Sequence, residues 1–379
     1  MKLSIIILCF SFFFIGNVSA KITLPHLVGD NMVLQQSIHV NLWGKSTAKR
    51  VVISPSWTHE KFIANTTSEG KWIISVKTPS AGGPYSITLD DGELLTIKNV
   101  MIGEVWICSG QSNMEIPIHG YPTQPIAETL DAITNAFKYD KIRLFTVERT
   151  SKNTPQEDCT SQGWLCSSPQ TVGEFSATAY FFGRALAQQL NVPIGLVLTC
   201  WGGSSIEAWI DQASLENLKG EINMNVVRAR IQTPKKALLL FNGMINPIIN
   251  YTAKGFIWYQ GETNTNAPQD YDKLMISLVN LWRNKWNNQN MPFYYVQLAP
   301  YRYSNSQDIS MPLTVEAQYK ALEQIPLSGI AATTDIGNEI CIHPGRKKQV
   351  GDRLAFMALR NEYGIKGYLL MLLHLNQWK

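Results

Sequence analysis

The sequence predicts an α/β protein built on a mainly parallel sheet and preceded by a small all-β sandwich. Three observations point there. Residues 21–98 are broken by turn residues every eight to twelve positions, the rhythm of short antiparallel strands. From residue 99 onward apolar strand-like runs alternate with helical ones, which implies parallel strands joined by helices on both faces. Residues able to do chemistry follow those strand-like runs, and in open α/β sheets the site lies beyond the carboxyl ends of the strands.

The chain opens with MKLSIIILCFSFFFIGNVSA: Lys2, an apolar stretch from Ile5 to Ile15, and small residues Val18 and Ala20 where a peptidase would need them. That is the pattern of a secretory signal peptide over residues 1–20, with the mature chain starting near Lys21 and a secreted or periplasmic location. The apolar run is short for a bilayer and nothing else approaches it, so no membrane span is expected after cleavage. The remaining length calls for at least two domains. They are expected at 21–98, the sandwich, and 99–365, the α/β unit, followed by an atypical tail at 366–379.

Within the sandwich the strand-like runs are VNLWG, RVVISP, KWIISV, YSITL and LLTIKNV, separated by GDN, SAGGP and DDGE. In the α/β unit VWICSG reads as a strand, SATAYFFGRALAQQL as a helix capped by Ser176, and IGLVLTC as a strand. GFIWYQ, FYYVQLA and GIAATTD are further strands. YDKLMISLVNLWRNKW, VEAQYKALEQ and RKKQVGDRLAFMALRNEYG are helices, the last stopped by its glycine.

Composition narrows the function classes. The formal charge of +4 falls to +3 once Lys2 is removed, and no basic run exists, so no nucleic-acid partner is expected. Five cysteines follow the leader, and an oxidising compartment makes Cys159 with Cys166 the local candidate for a bridge. Cys108 and Cys200 sit in apolar strands and read as buried thiols. The cysteine spacing fits no zinc or redox site, so neither metal nor cofactor is expected.

The strand ends carry the parts of an acyl-transfer site. After VWICSG comes Ser112 in GQSNM; after IGLVLTC come Gly202 and Gly203; after GFIWYQ comes the amide and carboxylate cluster GETN; after GIAATTD comes a loop holding His343. A serine hydroxyl attacks only when a base takes its proton, and histidine titrates near neutrality. The tetrahedral intermediate needs donors for its oxyanion, which a glycine turn and a side-chain amide supply. His343 is the base by elimination: His26, His39 and His59 lie in the sandwich, His374 in the tail, and His119 too close in sequence to Ser112. For the acid that steadies the base, Asp335, Glu339 and Glu262 all stand as candidates.

The motifs GEVWICSGQSNMEIPI, CWGGSSIEAW, GFIWYQGETN and DIGNEICIHPGRKKQVGDRLA, with LPHLVGDNMVLQQ after the leader, resemble the sialate O-acetylesterase family of the SGNH hydrolase superfamily. The resemblance spans nearly all of residues 23–355. It implies a flavodoxin-like SGNH fold that removes O-acetyl groups from sugars by a serine mechanism without metal, its partner an O-acetylated sugar or glycan. By that resemblance Ser112 is the nucleophile, His343 the base and Gly203 the oxyanion glycine, with Asn264 or Gln260 as the amide donor. Many superfamily members carry the acid three residues before the histidine, where this chain has Ile340. That leaves Asp335 as the first choice, Glu262 as the alternative acid, and a dyad as the third arrangement. Family members also continue beyond the last helix, whereas this chain ends in GYLLMLLHLNQWK, which has the marks of a truncation.

Two other readings compete with this one. GQSNM approaches the G-x-S-x-G elbow of α/β-hydrolase lipases, but there the glycine-rich oxyanion segment precedes the serine, whereas Gly202 and Gly203 follow Ser112. The other rival is a carbohydrate-binding or surface protein whose esterase site is degenerate.

Overall fold

Among the described residues, seven strands precede the first helix: β1 (Val33–Gln35), β2 (His39–Lys45), β3 (Arg50–Pro55), β4 (Phe62–Asn65), β5 (Lys71–Lys77), β6 (Gly82–Asp90) and the long β7 (Leu94–Gly110). They are followed by β8 (Ile142–Thr146), β9 (Leu165–Cys166), β10 (Ile194–Cys200), β11 (Gly255–Tyr259), β12 (Phe293–Val296) and β13 (Ser328–Ala331). The helices are α1 (Ser112–Glu115), α2 (Thr129–Thr134), α3 (Ala177–Leu190), α4 (Gln212–Asn217), α5 (Met224–Ala229), α6 (Tyr271–Lys285), α7 (Ser310–Gln324) and α8 (Lys347–Asn361). This computed structural model describes residues 21–229, 238–303 and 307–366. The expected signal peptide and all of the expected tail beyond residue 366 lie outside the described residues.

Strands β13, β12, β11, β7, β10 and β8 run parallel in that order, with the short β9 antiparallel at the edge. Their side chains alternate between two cores because successive residues of a strand point to opposite faces. Val105, Ile107, Phe256, Trp258, Phe293 and Tyr295 join the face covered by α6. Trp106, Cys108, Ile257, Tyr259, Tyr294 and Val296 join the face covered by α3 and α8. Strands buried on both faces read as continuous apolar runs, which is why VWIC, IGLVL and GFIWY were legible.

Strand β7 belongs to two sheets' worth of structure. Its first half pairs antiparallel with β6 and parallel with β1, and its second half is the middle of the parallel sheet. The boundary expected between residues 98 and 99 therefore falls inside one continuous strand. The exposure along it changes accordingly: Leu94 to Thr96 are exposed, whereas Val100 to Gly110 are buried throughout. Strands β2 and β5 form a separate antiparallel pair, and β3 is flanked by β4 and β6.

The helices follow the expected runs with local adjustments. Ser176 caps α3, its Oγ accepting the N–H of Ala179 at 3.0 Å. Helix α7 begins at Ser310, ahead of the expected VEAQYKALEQ, and takes Pro312 into its first turn, where a missing N–H costs no helical bond. Strand β8 interrupts the expected alternation, its KIRLFT sequence masked by charged residues of which Arg143 is itself buried.

The five described cysteines are free, which corrects the candidate bridge. Cys159 is buried in the apolar core, while the Cys166 sulfur lies against Arg143 and Asn31. Among the described residues no helix is long and apolar enough to cross a membrane, and no cluster of acidic, cysteine or histidine side chains is grouped to hold a metal ion.

Candidate active site

Register brings three of the four motifs together. Gly110, the last residue of β7, is level with Cys200 on β10 and Tyr259 on β11, so the chain leaves all three strands at one edge. At Gly110 a side chain would lie 2.1 Å from the Tyr259 carbonyl oxygen, and φ is +143°, so only glycine lets the strands close this tightly. The Gln111 N–H then donates to Tyr259 O at 3.0 Å, and Ser112 opens the single-turn helix α1, half-buried.

The glycine turn after β10 lies directly over the serine. Gly202 donates its N–H to Glu115 Oε2 at 2.9 Å, and a side chain there would sit 3.2 Å from Ser112 Cβ. Glu115 is held in turn by Arg149 Nε at 2.7 Å. Gly203 follows with φ +69°, a left-handed conformation that turns its amide away from the regular strand direction. No described residue accepts from the N–H of Ser112 or of Gly203.

The two amides expected as oxyanion donors are placed differently. Gln260 is fully buried, its Nε2 directed at Gln111 Oε1, Ser204 O and Asn264 Oδ1, and its Oε1 accepting from Tyr271. An amide nitrogen carries two hydrogens, so Gln260 has none left to offer a substrate. Asn264 accepts at Oδ1 from Ile206 N–H and Gln260, and donates from Nδ2 to Glu207 Oε2 at 3.2 Å, leaving one hydrogen of that nitrogen over.

A buried polar cluster that the sequence did not reveal lies beneath Ser112. Asn113 donates from Nδ2 to Glu262 Oε1 and, at 3.0 Å, to the carbonyl of Ile342; its Oδ1 accepts from Lys347 Nζ. One amide thus joins the residue after Ser112 to the residue before His343. Lys347 is entirely buried, with its ammonium 4.9 Å from the Tyr259 ring centre, and burial pushes its pKa down to about 7. Burial likewise pushes the Glu262 carboxyl up, against the Asn113 hydrogen bond that lowers it. Glu262 accepts from Asn113 at Oε1, its buried Oε2 has no hydrogen-bond partner among the described residues, and neither oxygen bonds His343. The signal for Lys347 was present in RKKQVGDRLA: a lysine at the head of the stripe Lys347, Val350, Gly351, Leu354 that α8 buries.

His343 lies in the loop after β13, beside an open cleft of about 570 Å³ bounded also by Gln124, Tyr301, Asn338 and Ile340. Its Nδ1 meets Gln124 Oε1 at 2.5 Å, and the Tyr121 ring stands nearly perpendicular to the imidazole at 5.6 Å between centres. Burial, then the Lys347 charge, pushes its pKa down to about 4. The structure does not bring Asp335 to it. Both Asp335 oxygens are taken by Arg353, at 2.8 and 2.6 Å, which holds that carboxyl below its usual range. The permanently charged Arg353 in the next helix outcompetes a half-buried neutral ring for an anion. Glu339 pairs with Arg302.

Residues 102–360 match the family model described as carbohydrate esterase, sialic acid-specific acetylesterase. The sialate O-acetylesterases of Pongo abelii and Homo sapiens are 29% and 28% identical, each over 89% of this chain and 71% of the relative. A solved carbohydrate acetylesterase from Xanthomonas citri superposes with a TM-score of 0.82 at 33% identity, covering 91% of this chain and 76% of that one. With the motifs gathered at one sheet edge and the match running through them all, the chain belongs to the sialic acid-specific acetylesterase family of carbohydrate esterases, enzymes that hydrolyse O-acetyl esters of carbohydrates.

Proposed function

We propose that the protein removes O-acetyl groups from carbohydrates with Ser112 as nucleophile and His343 as base. The observation that carries this reading is the shared edge: Ser112, Gly202–Gly203 and Asn264 leave aligned strands, and Asn113 ties the His343 loop to the same turn. His343 Nε2 takes the Ser112 hydroxyl proton as Oγ bonds to the acetyl carbon. The oxyanion is received by the N–H groups of Ser112 and Gly203 and by the remaining Asn264 hydrogen. His343 returns the proton to the sugar oxygen as the ester bond breaks. A water then gives its proton to His343 and attacks the acetyl group, and Ser112 leaves reprotonated as acetic acid departs.

The substrate is an O-acetylated sugar, either a sialic acid or an acetylated glycan such as xylan, seated in the cleft beside His343. The N-terminal strands form a small sandwich domain, and residues 1–20 direct export to a secreted or periplasmic location. Acetate release from p-nitrophenyl acetate, from O-acetylated sialic acid and from acetylated xylan, each compared with Ser112→Ala, tests the chemistry and ranks the substrates. Equal release by the two proteins on every ester would sink the reading. Amino-terminal sequencing of exported protein checks the start at Lys21.

A further inference from the structure

We propose that Gln124 is the positioning residue for His343, a neutral amide standing where serine hydrolases of this kind place a carboxylate. The inference rests on the reading of His343 as the base and says what holds that base in its working form.

The geometry comes from two loops lodged together. Tyr121 and Gln124 bond each other's backbone at 3.2 and 2.9 Å, closing a tight turn. Three residues on, Ala127 N–H donates to Gly345 O at 2.9 Å, and a side chain on Gly345 would lie 2.6 Å from the Pro125 carbonyl oxygen. The turn is therefore fixed against the segment that carries His343. It presents the Gln124 side-chain oxygen to Nδ1 and the Tyr121 ring, nearly perpendicular, to the imidazole. An amide oxygen only accepts, so the proton sits on Nδ1 and the lone pair on Nε2. That is the tautomer a base needs toward Ser112.

The ionisable groups around the ring are Tyr121 from the facing turn, Tyr301 across the cleft, Cys341 in its own loop and Lys347 at the start of α8. Among the described residues no carboxylate offsets the Lys347 charge on His343. A neutral acceptor fixes the tautomer without stabilising the imidazolium. The histidine thus stays unprotonated into acid, at the cost of a weaker base during attack.

The test uses the full-length protein, Gln124→Ala and Gln124→Glu, with acetate release measured from pH 4 to 8 and ¹⁵N NMR of the histidine ring. Nδ1 is expected to carry the proton at neutral pH. Gln124→Ala is expected to lower kcat about tenfold to a hundredfold, the range of general-base effects, with KM little changed. Gln124→Glu is expected to restore kcat near neutrality while moving the acid limb of kcat/KM upward by about 1–3 pH units, because an anion beside the ring favours its charged form. A merely structural glutamine would not move that limb upward on replacement by glutamate. A proton on Nε2, an unchanged kcat in Gln124→Ala, or an unmoved limb in Gln124→Glu overturns the inference. If Ser112→Ala keeps full activity, the underlying esterase reading fails instead, whatever the Gln124 variants do.

Discussion

The two halves of the site are held in different ways. The Ser112 half is built from backbone: β7, β10 and β11 end level, Gly110 admits the Tyr259 carbonyl, and Gln111, Gln260 and Asn264 are all within 2% of full burial. The His343 half is a loop, with Ile340 86% exposed, joined to the rest by side-chain contacts from Asn113, Gln124 and Tyr121 and by the Ala127–Gly345 backbone bond. Sheet register places Ser112, whereas a handful of long-range amide bonds places His343. The first arrangement tolerates little movement; the second can be altered one bond at a time.

The largest expected effect comes from removing the attacking group. Ser112→Ala should reduce acetate release by about 10³-fold or more, as for other serine hydrolases, with the melting temperature unchanged because a half-buried hydroxyl leaves no stranded partner. Asn264→Ala should cost about 10²–10³-fold in kcat as an oxyanion donor is lost, and Gln260→Ala should instead be read mainly in stability. Similar kcat losses in the two would show that the donor assignment between the amides is wrong.

Asn113→Ala is the sharpest test of the link between the halves. It leaves Lys347 and Glu262 buried without their shared partner, which should cost about 3–5 kcal/mol in urea unfolding. It should also lower kcat more than it raises KM, since the Ile342 tether goes with it.

The pH profile compares the halves without mutation. A base must be unprotonated, and the His343 pKa is lowered to about 4, so kcat/KM should stay level as pH falls from 7 toward 5 and drop only below that. A drop centred near the ordinary histidine value would mean a carboxylate approaches the ring in the working enzyme. The smallest effect is expected at Asp335. Asp335→Asn breaks a pair with Arg353 whose carboxylate is largely exposed, which should change stability by at most about 1 kcal/mol and kcat by less than tenfold. A larger fall in kcat would return Asp335 to the triad.

What the sequence by itself determined is what repeats along the chain or follows from adjacency. Apolar strands buried on both faces, helices with one buried stripe, the Ser176 cap, and the placement of Ser112, Gly203, Asn264 and His343 after strands were all legible, because period and punctuation are local properties. Tertiary structure alone decided how β7 runs unbroken from the N-terminal strands into the parallel sheet, since strand pairing is a long-range choice. It also decided which polar groups meet. Gln124 and His343 are 219 residues apart, Asn113 and Lys347 234, and neither partner carries a mark of the other. Asp335 had the right chemistry near the right residue, yet the helix that follows supplied Arg353 first. Side chains in loops pair with whatever folding sets beside them, and that competition is settled in space.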